Sequence, residues 1–104
     1  MITDLSMSLP VAEAAQYHSE VARSKPTFLY ELTHRPSFTF GEEYAPDGFK
    51  GPNFGVSFSD DLFFLFHELN YVNALQTEAD RKTSETMVKF WTNFAKYGAP
   101  SPFR

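Results

Sequence analysis

The stretch Gly55–Phe66, GVSFSDDLFFLF, is where the chain declares what kind of structure it belongs to. It opens on Gly55, with Ser57 and Ser59 following, turn chemistry rather than periodic structure. At Asp60-Asp61 it switches into an almost wholly apolar run. Two acidic residues at the start of an apolar segment suit a helix N-terminus, where the backbone dipole favours negative charge. The expectation is a loop ending in a short, very apolar helix over Asp60–Leu69. Phe58 stands in the middle of the loop, an apolar ring among residues of turn type.

Downstream, Thr77-x-x-Asp80 is a capping-box pattern. It opens a helix expected over Glu78–Tyr97. Glu78→Lys82 and Glu85→Lys89 are i,i+4 pairs in the favourable order. Met87, Trp91, Phe94 and Ala95 form its apolar stripe, with Val88 and Phe90 at the margins. Gly98 supplies a left-handed stop and Pro100 prevents continuation.

Upstream, His34–Ser57 has no sustained period and is punctuated by Gly41, Pro46, Gly48, Gly51 and Pro52. It reads as a long loop. Phe40, Tyr44 and Phe49 within it either line a groove or plug a core edge. Pro26–Thr33, PTFLYELT, alternates as a strand. Phe28, Tyr30 and Leu32 share one face, and Leu29 gives the other face apolar surface too, as in a covered sheet. Residues 9–23 read as a helix capped by Ser8, with Pro10 in the first turn. Its apolar face carries Val11, Ala14, Ala15, His18 and Ala22. The order is helix, strand, long loop, short helix, long helix. One strand makes no sheet, because its backbone groups need neighbours. The fold class expected is therefore α/β, with residues 1–104 forming the end of a domain whose other strands lie elsewhere.

Composition narrows the functions. Hydrophobic residues make up 42% of the 104-residue chain and it holds 12 Phe, too apolar for a disordered segment. This much Phe implies faces that pack against surface the chain does not supply. The net charge is −4 with no basic run, which disfavours nucleic acid. There is no cysteine, so disulfides and thiolate catalysis are excluded. Leu62–Phe66, the longest apolar run, is too short to span a membrane. MITDLSMSLP lacks the basic start and apolar centre of a signal peptide. The three histidines have no metal-ligand spacing, and no cofactor is expected.

Four segments, in order, resemble the type-B carboxylesterase/cholinesterase family. Tyr17-His18-Ser19 is similar to a helical segment before that family's last main strand. Phe28–Ser37, FLYELTHRPS, resembles the strand and its His-Arg-Pro-Ser turn. Pro52–Leu62 resembles the loop that carries the catalytic histidine in a Gly-Val-x-His-x-Asp-(Asp/Glu)-Leu run. Asp80–Tyr97 resembles the C-terminal helix, with its Trp-x-x-Phe-Ala-x-x-Gly ending at Trp91–Gly98. The resemblance implies the C-terminal piece of an α/β-hydrolase fold. It also implies a family that cleaves carboxylic esters with a Ser–His–Glu/Asp triad, the serine on a Gly-x-Ser-x-Gly elbow. Members are often secreted or membrane-attached; the compartment of this chain is not readable.

At the histidine position this chain has Phe58, which has no nitrogen to accept a proton. The nearest approach to an elbow, Gly55-Val56-Ser57-Phe58-Ser59, lacks the final glycine, and Ser57 reads as a turn hydrogen-bonder. His34 falls on the structural His-Arg-Pro-Ser turn. His67 matches nothing catalytic. His18 is expected to be hydrogen-bonded and partly buried. Asp60-Asp61 is expected to brace the loop, and Glu42-Glu43 to be solvated. No catalytic residue is assigned. The expectation is a segment inactive as it stands, dependent on the upstream part of a hydrolase domain to fold. The alternative is part of a non-catalytic adhesion or interaction domain, which would bring a protein partner. A self-sufficient small binding module is disfavoured by the single strand and the apolar helix stripe.

Overall fold

The computed structural model describes residues 4–47, 51–53, 55–66 and 74–101. His67, Phe49 and the far end of the expected Asp60–Leu69 helix lie outside the described residues. The chain divides into two compact units, Met1–Glu31 and Leu32–Arg104.

In the first unit, a π-helical turn over Asp4–Ser8 runs into α1, Leu9–Val21. Ser8 is itself helical (φ −64°, ψ −45°) and caps nothing, because the preceding turn already supplies helical backbone. Pro10 sits in the first turn of α1, where its missing N–H removes no helical bond. Gln16 Nε2 donates to Glu20 Oε1 at 3.0 Å, one turn on. The helix closes with the Ala22 N–H on His18 O at 2.9 Å. No residue of α1 is buried. His18, expected to be partly buried, is exposed, its ring edge-on to Tyr17 at 6.5 Å.

The expected strand Pro26–Thr33 does not form. Residues 26–31 in this unit and 32–33 in the next carry no regular structure, and Phe28, Leu29 and Tyr30 are exposed. Alternating side chains give a strand its faces, but only a neighbouring backbone gives it a ladder. Among the described residues there is no strand of any kind.

The second unit is built on α3, Asp61–Leu65, packed against α4, Glu78–Tyr97. Phe63, Phe64, Ala74 and Met87 are its buried apolar residues. Burying a Phe or Met side chain is worth about 1.5–3 kcal/mol. The region read as a long loop also contains a short helix, α2, over Phe40–Glu43. The Phe40 ring stacks on Phe63 at 4.4 Å, and Phe38 meets the same ring edge-on at 6.1 Å. Phe40 thus plugs the core edge. Ser84 Oγ donates to Phe64 O at 2.7 Å, tying α4 to the middle of α3.

Helix α4 has the ends its capping signals imply. Thr77 Oγ1 accepts from the Asp80 N–H at 3.0 Å, and the Thr77 N–H donates to Asp80 Oδ2 at 3.0 Å. Gly98 takes φ 71° and donates to Phe94 O at 2.8 Å. A Cβ at Gly98 would meet nothing within 4 Å, so Gly98→Ala has only a backbone cost. That cost is expected to be about 1–2 kcal/mol, read as a shift of the urea midpoint. The apolar stripe of α4 is covered only at its start. Met87 is buried, whereas Trp91 and Phe94 are each 48% exposed.

Candidate functional site

The loop bearing Phe58 is held by its neighbours rather than by Phe58. Gly55 has φ 83°, and its N–H donates to Asn53 Oδ1 at 2.8 Å. Asp60, expected to brace the loop, is 0% exposed. Its Oδ2 accepts from the Ser57 N–H at 2.7 Å, closing the Ser57–Asp60 turn. Its Oδ1 accepts from the Phe40 N–H at 2.9 Å, fastening that turn to the first residue of α2. Ser59 adopts φ 69°, a left-handed conformation that a non-glycine residue holds at a cost. Phe58, between these fixed points, is 71% exposed.

Ser57 Oγ lies 3.5 Å from Thr39 Oγ1, a neutral hydroxyl, and either oxygen can donate to the other. Ser57 and Thr39 border an open cleft of about 460 Å³ that also reaches Arg35, Gly41, Glu42 and Asn53. Arg35 is already engaged, donating to Glu42 Oε1 at 2.5 Å and Pro36 O at 3.1 Å. Glu42 is therefore an ion-pair partner at the start of α2, not merely a solvated loop charge.

A second cluster lies at the N-terminus of α4. Asp80, 2% exposed, accepts at Oδ1 from His34 Nε2 at 2.7 Å. Its Oδ2 accepts from Ser37 Oγ at 2.5 Å and from the N–H groups of Gln76 and Thr77 at 3.1 and 3.0 Å. Serine, histidine and aspartate are all present, but the aspartate sits between the other two. Ser37 gives its proton to Asp80 and not to His34, so this is no nucleophile–base pair.

The two buried aspartates are shifted in opposite directions. For Asp60, burial raises the carboxyl pKa, and the Phe40 and Ser57 N–H groups and Arg35 only partly offset it. For Asp80, burial also pushes up, but the bonds from Ser37, Thr77 and His34 outweigh it and hold the carboxyl well below the ordinary range. A lowered carboxyl stabilises the fold above its unfolded value and loses that contribution as pH falls through the folded value. A raised one does the opposite. Asp80 therefore makes the second unit acid-labile: the urea midpoint should fall from about pH 5 downward, and Asp80→Asn should flatten that limb.

Sequence reasoning found Asp80 only as the partner of Thr77. Its contact with His34 spans 46 positions, and no local pattern reports it. Among the described residues, no group of three His, Cys, Asp or Glu side chains is arranged to hold a metal ion. No helix among them is long and apolar enough to cross a membrane.

The pattern of the Carboxylesterase family matches residues 1–104. The chain belongs to the carboxylesterase family. Its relatives include the juvenile hormone esterase of Tribolium castaneum, 41% identical over 80 residues. That match covers 75% of this chain and 13% of the relative. The medium-chain fatty acyl-CoA hydrolase precursor of Anas platyrhynchos is 31% identical over 100 residues, 96% of this chain and 16% of that protein. Liver carboxylesterase 1 of Oryctolagus cuniculus is 29% identical over 101 residues, 97% of this chain and 16% of that protein. The chain thus spans about a seventh of the length of these relatives. No solved structure matches. Carboxylesterases have the α/β-hydrolase fold, whereas the described part of this carboxylesterase segment is helical.

Proposed function

We propose that this carboxylesterase segment is the C-terminal part of a hydrolase-like domain that has lost ester hydrolysis. The observation that carries the reading is Phe58, at the position where the family's histidine loop has its base. The ancestral substrate class is a carboxylic ester, as the relatives' names indicate. The first step of that chemistry needs a base to take the serine proton, and a phenyl ring has no lone pair for it. The loop's bracing by Asp60 supports a point loss of chemistry with the loop retained. The test is ester turnover by a full-length protein that contains this segment: an ordinary enzymatic rate with Phe58 in place would end the proposal.

A second reading, a non-catalytic interaction domain, is favoured by the 71% exposure of Phe58. An apolar ring presented on a braced loop suits contact with another protein better than it suits chemistry. Native mass separates the two for the full-length protein: a stable complex that Phe58→Ala dissolves supports the interaction reading.

A further inference from the structure

Asp60 fastens two backbone groups to one carboxyl group, the Phe40 N–H at 2.9 Å and the Ser57 N–H at 2.7 Å. The first residue of α2 and the turn that carries Phe58 are therefore drawn against each other. The residue of α2 that meets the turn is Gly41. A Cβ at this position would stand 2.5 Å from Ser57 Oγ and 3.2 Å from Thr39 Oγ1. The first distance is well inside the roughly 3.5–4.0 Å at which non-bonded atoms settle. Gly41 is not in the left-handed conformation of Gly55 and Gly98, so its backbone does not call for glycine. Within α2 an alanine would be the better helix former. The missing side chain serves the close approach alone.

We propose that Gly41 is a positioning residue for the side chain at 58: by carrying no Cβ it lets α2 seat on Ser57, and the seat sets where the turn holds residue 58. Ser57 has little freedom to yield. Its N–H is held by Asp60, and its Oγ lies 3.5 Å from Thr39 Oγ1, in a residue only 3% exposed. A methyl group at residue 41 is accommodated by withdrawal of the turn from α2 by about 1 Å. That movement stretches the bonds from Phe40 and Ser57 to Asp60 and carries residue 58 with it. Ser57→Ala removes the obstructing oxygen and leaves its own Cβ 3.7 Å from the new methyl, an ordinary contact. It also keeps the Ser57 backbone N–H that Asp60 holds. That residue 58 stands in the place of the family's base is the reading given above, and only the kinetic arm of the test rests on it.

The test uses a full-length protein that contains this segment. In the first arm Phe58 is kept and amide hydrogen exchange is followed at Phe40 and Ser57. Gly41→Ala should speed both amides, Ser57→Ala alone should leave Phe40 unchanged, and the double variant should return Phe40 to the rate of the parent. In the second arm the same changes are made on Phe58→His and ester turnover is measured. Gly41→Ala should lower kcat by about a hundred-fold with KM unchanged, the scale for a 1 Å misplacement of a reacting group. Ser57→Ala should restore it. Unchanged exchange in Gly41→Ala means that Ser57 turns aside and the turn stays in place, which overturns the proposal. Failure of Ser57→Ala to restore the Phe40 amide overturns it too, since the contact with Ser57 is then not the cause. Recovery of exchange without any turnover in Phe58→His supports the positioning role and counts against the reading of residue 58 instead.

Discussion

A full-length protein carrying this segment, with a serine elbow and an acid upstream, should hydrolyse a simple ester about a million-fold more slowly than an intact carboxylesterase. The size follows from what the base does. Without it the serine keeps its proton, the leaving group receives none, and only binding and oxyanion stabilisation remain. Phe58→Leu should gain nothing, since neither side chain has a nitrogen. Phe58→His should recover activity, because the parts that hold the loop are in place without a histidine. Asp60 anchors both Ser57 and Phe40, and Ser59 is already in its left-handed conformation. The measurement is kcat on p-nitrophenyl butyrate for the three proteins side by side. Equal, ordinary rates in all three would mean that some other group moves the proton.

The second large effect is on stability. Asp80→Ala should lower the stability of the Leu32–Arg104 unit by about 3–5 kcal/mol at neutral pH, the range for removing one partner from a buried charged cluster. The side chain takes four hydrogen bonds and joins three places in the chain: the His34–Ser37 segment, the Gln76–Thr77 approach to α4, and α4 itself. Charge-assisted bonds of this kind are each worth more than neutral ones. Thr77→Ala removes only the cap acceptor and should cost about 1 kcal/mol. With few buried apolar residues among those described, the unit has little stability in reserve, so Asp80→Ala is read best as the loss of a cooperative urea transition. A midpoint shift no larger than that of Thr77→Ala would show that Asp80 is a cap and not a hub.

How far the structure was legible follows the range of the forces involved. Helix α4 was readable to the residue, because Thr77, Asp80 and Gly98 each act within one helical turn of where they stand. The bracing by Asp60 was readable in part: its place before α3 was visible, its bond to Phe40, 20 positions away, was not. The strand expected over Pro26–Thr33 failed for the converse reason. Its alternation is a property of the segment, but a ladder is a property of two segments. His18 sat on an apolar helix face in the sequence, yet no residue of that helix is buried, and the ring stays exposed.

The chain by itself thus determined its family, the bounds of its long helix and the absence of a base at residue 58. Identity and short-range capping are written in adjacent residues, and neither requires another part of the chain. Only the tertiary structure decided that Asp80 gathers His34 and Ser37, that Asp60 is buried, and that Phe58 faces outward. Burial and long-range hydrogen bonds arise when distant segments exclude water together, and no residue carries that information alone.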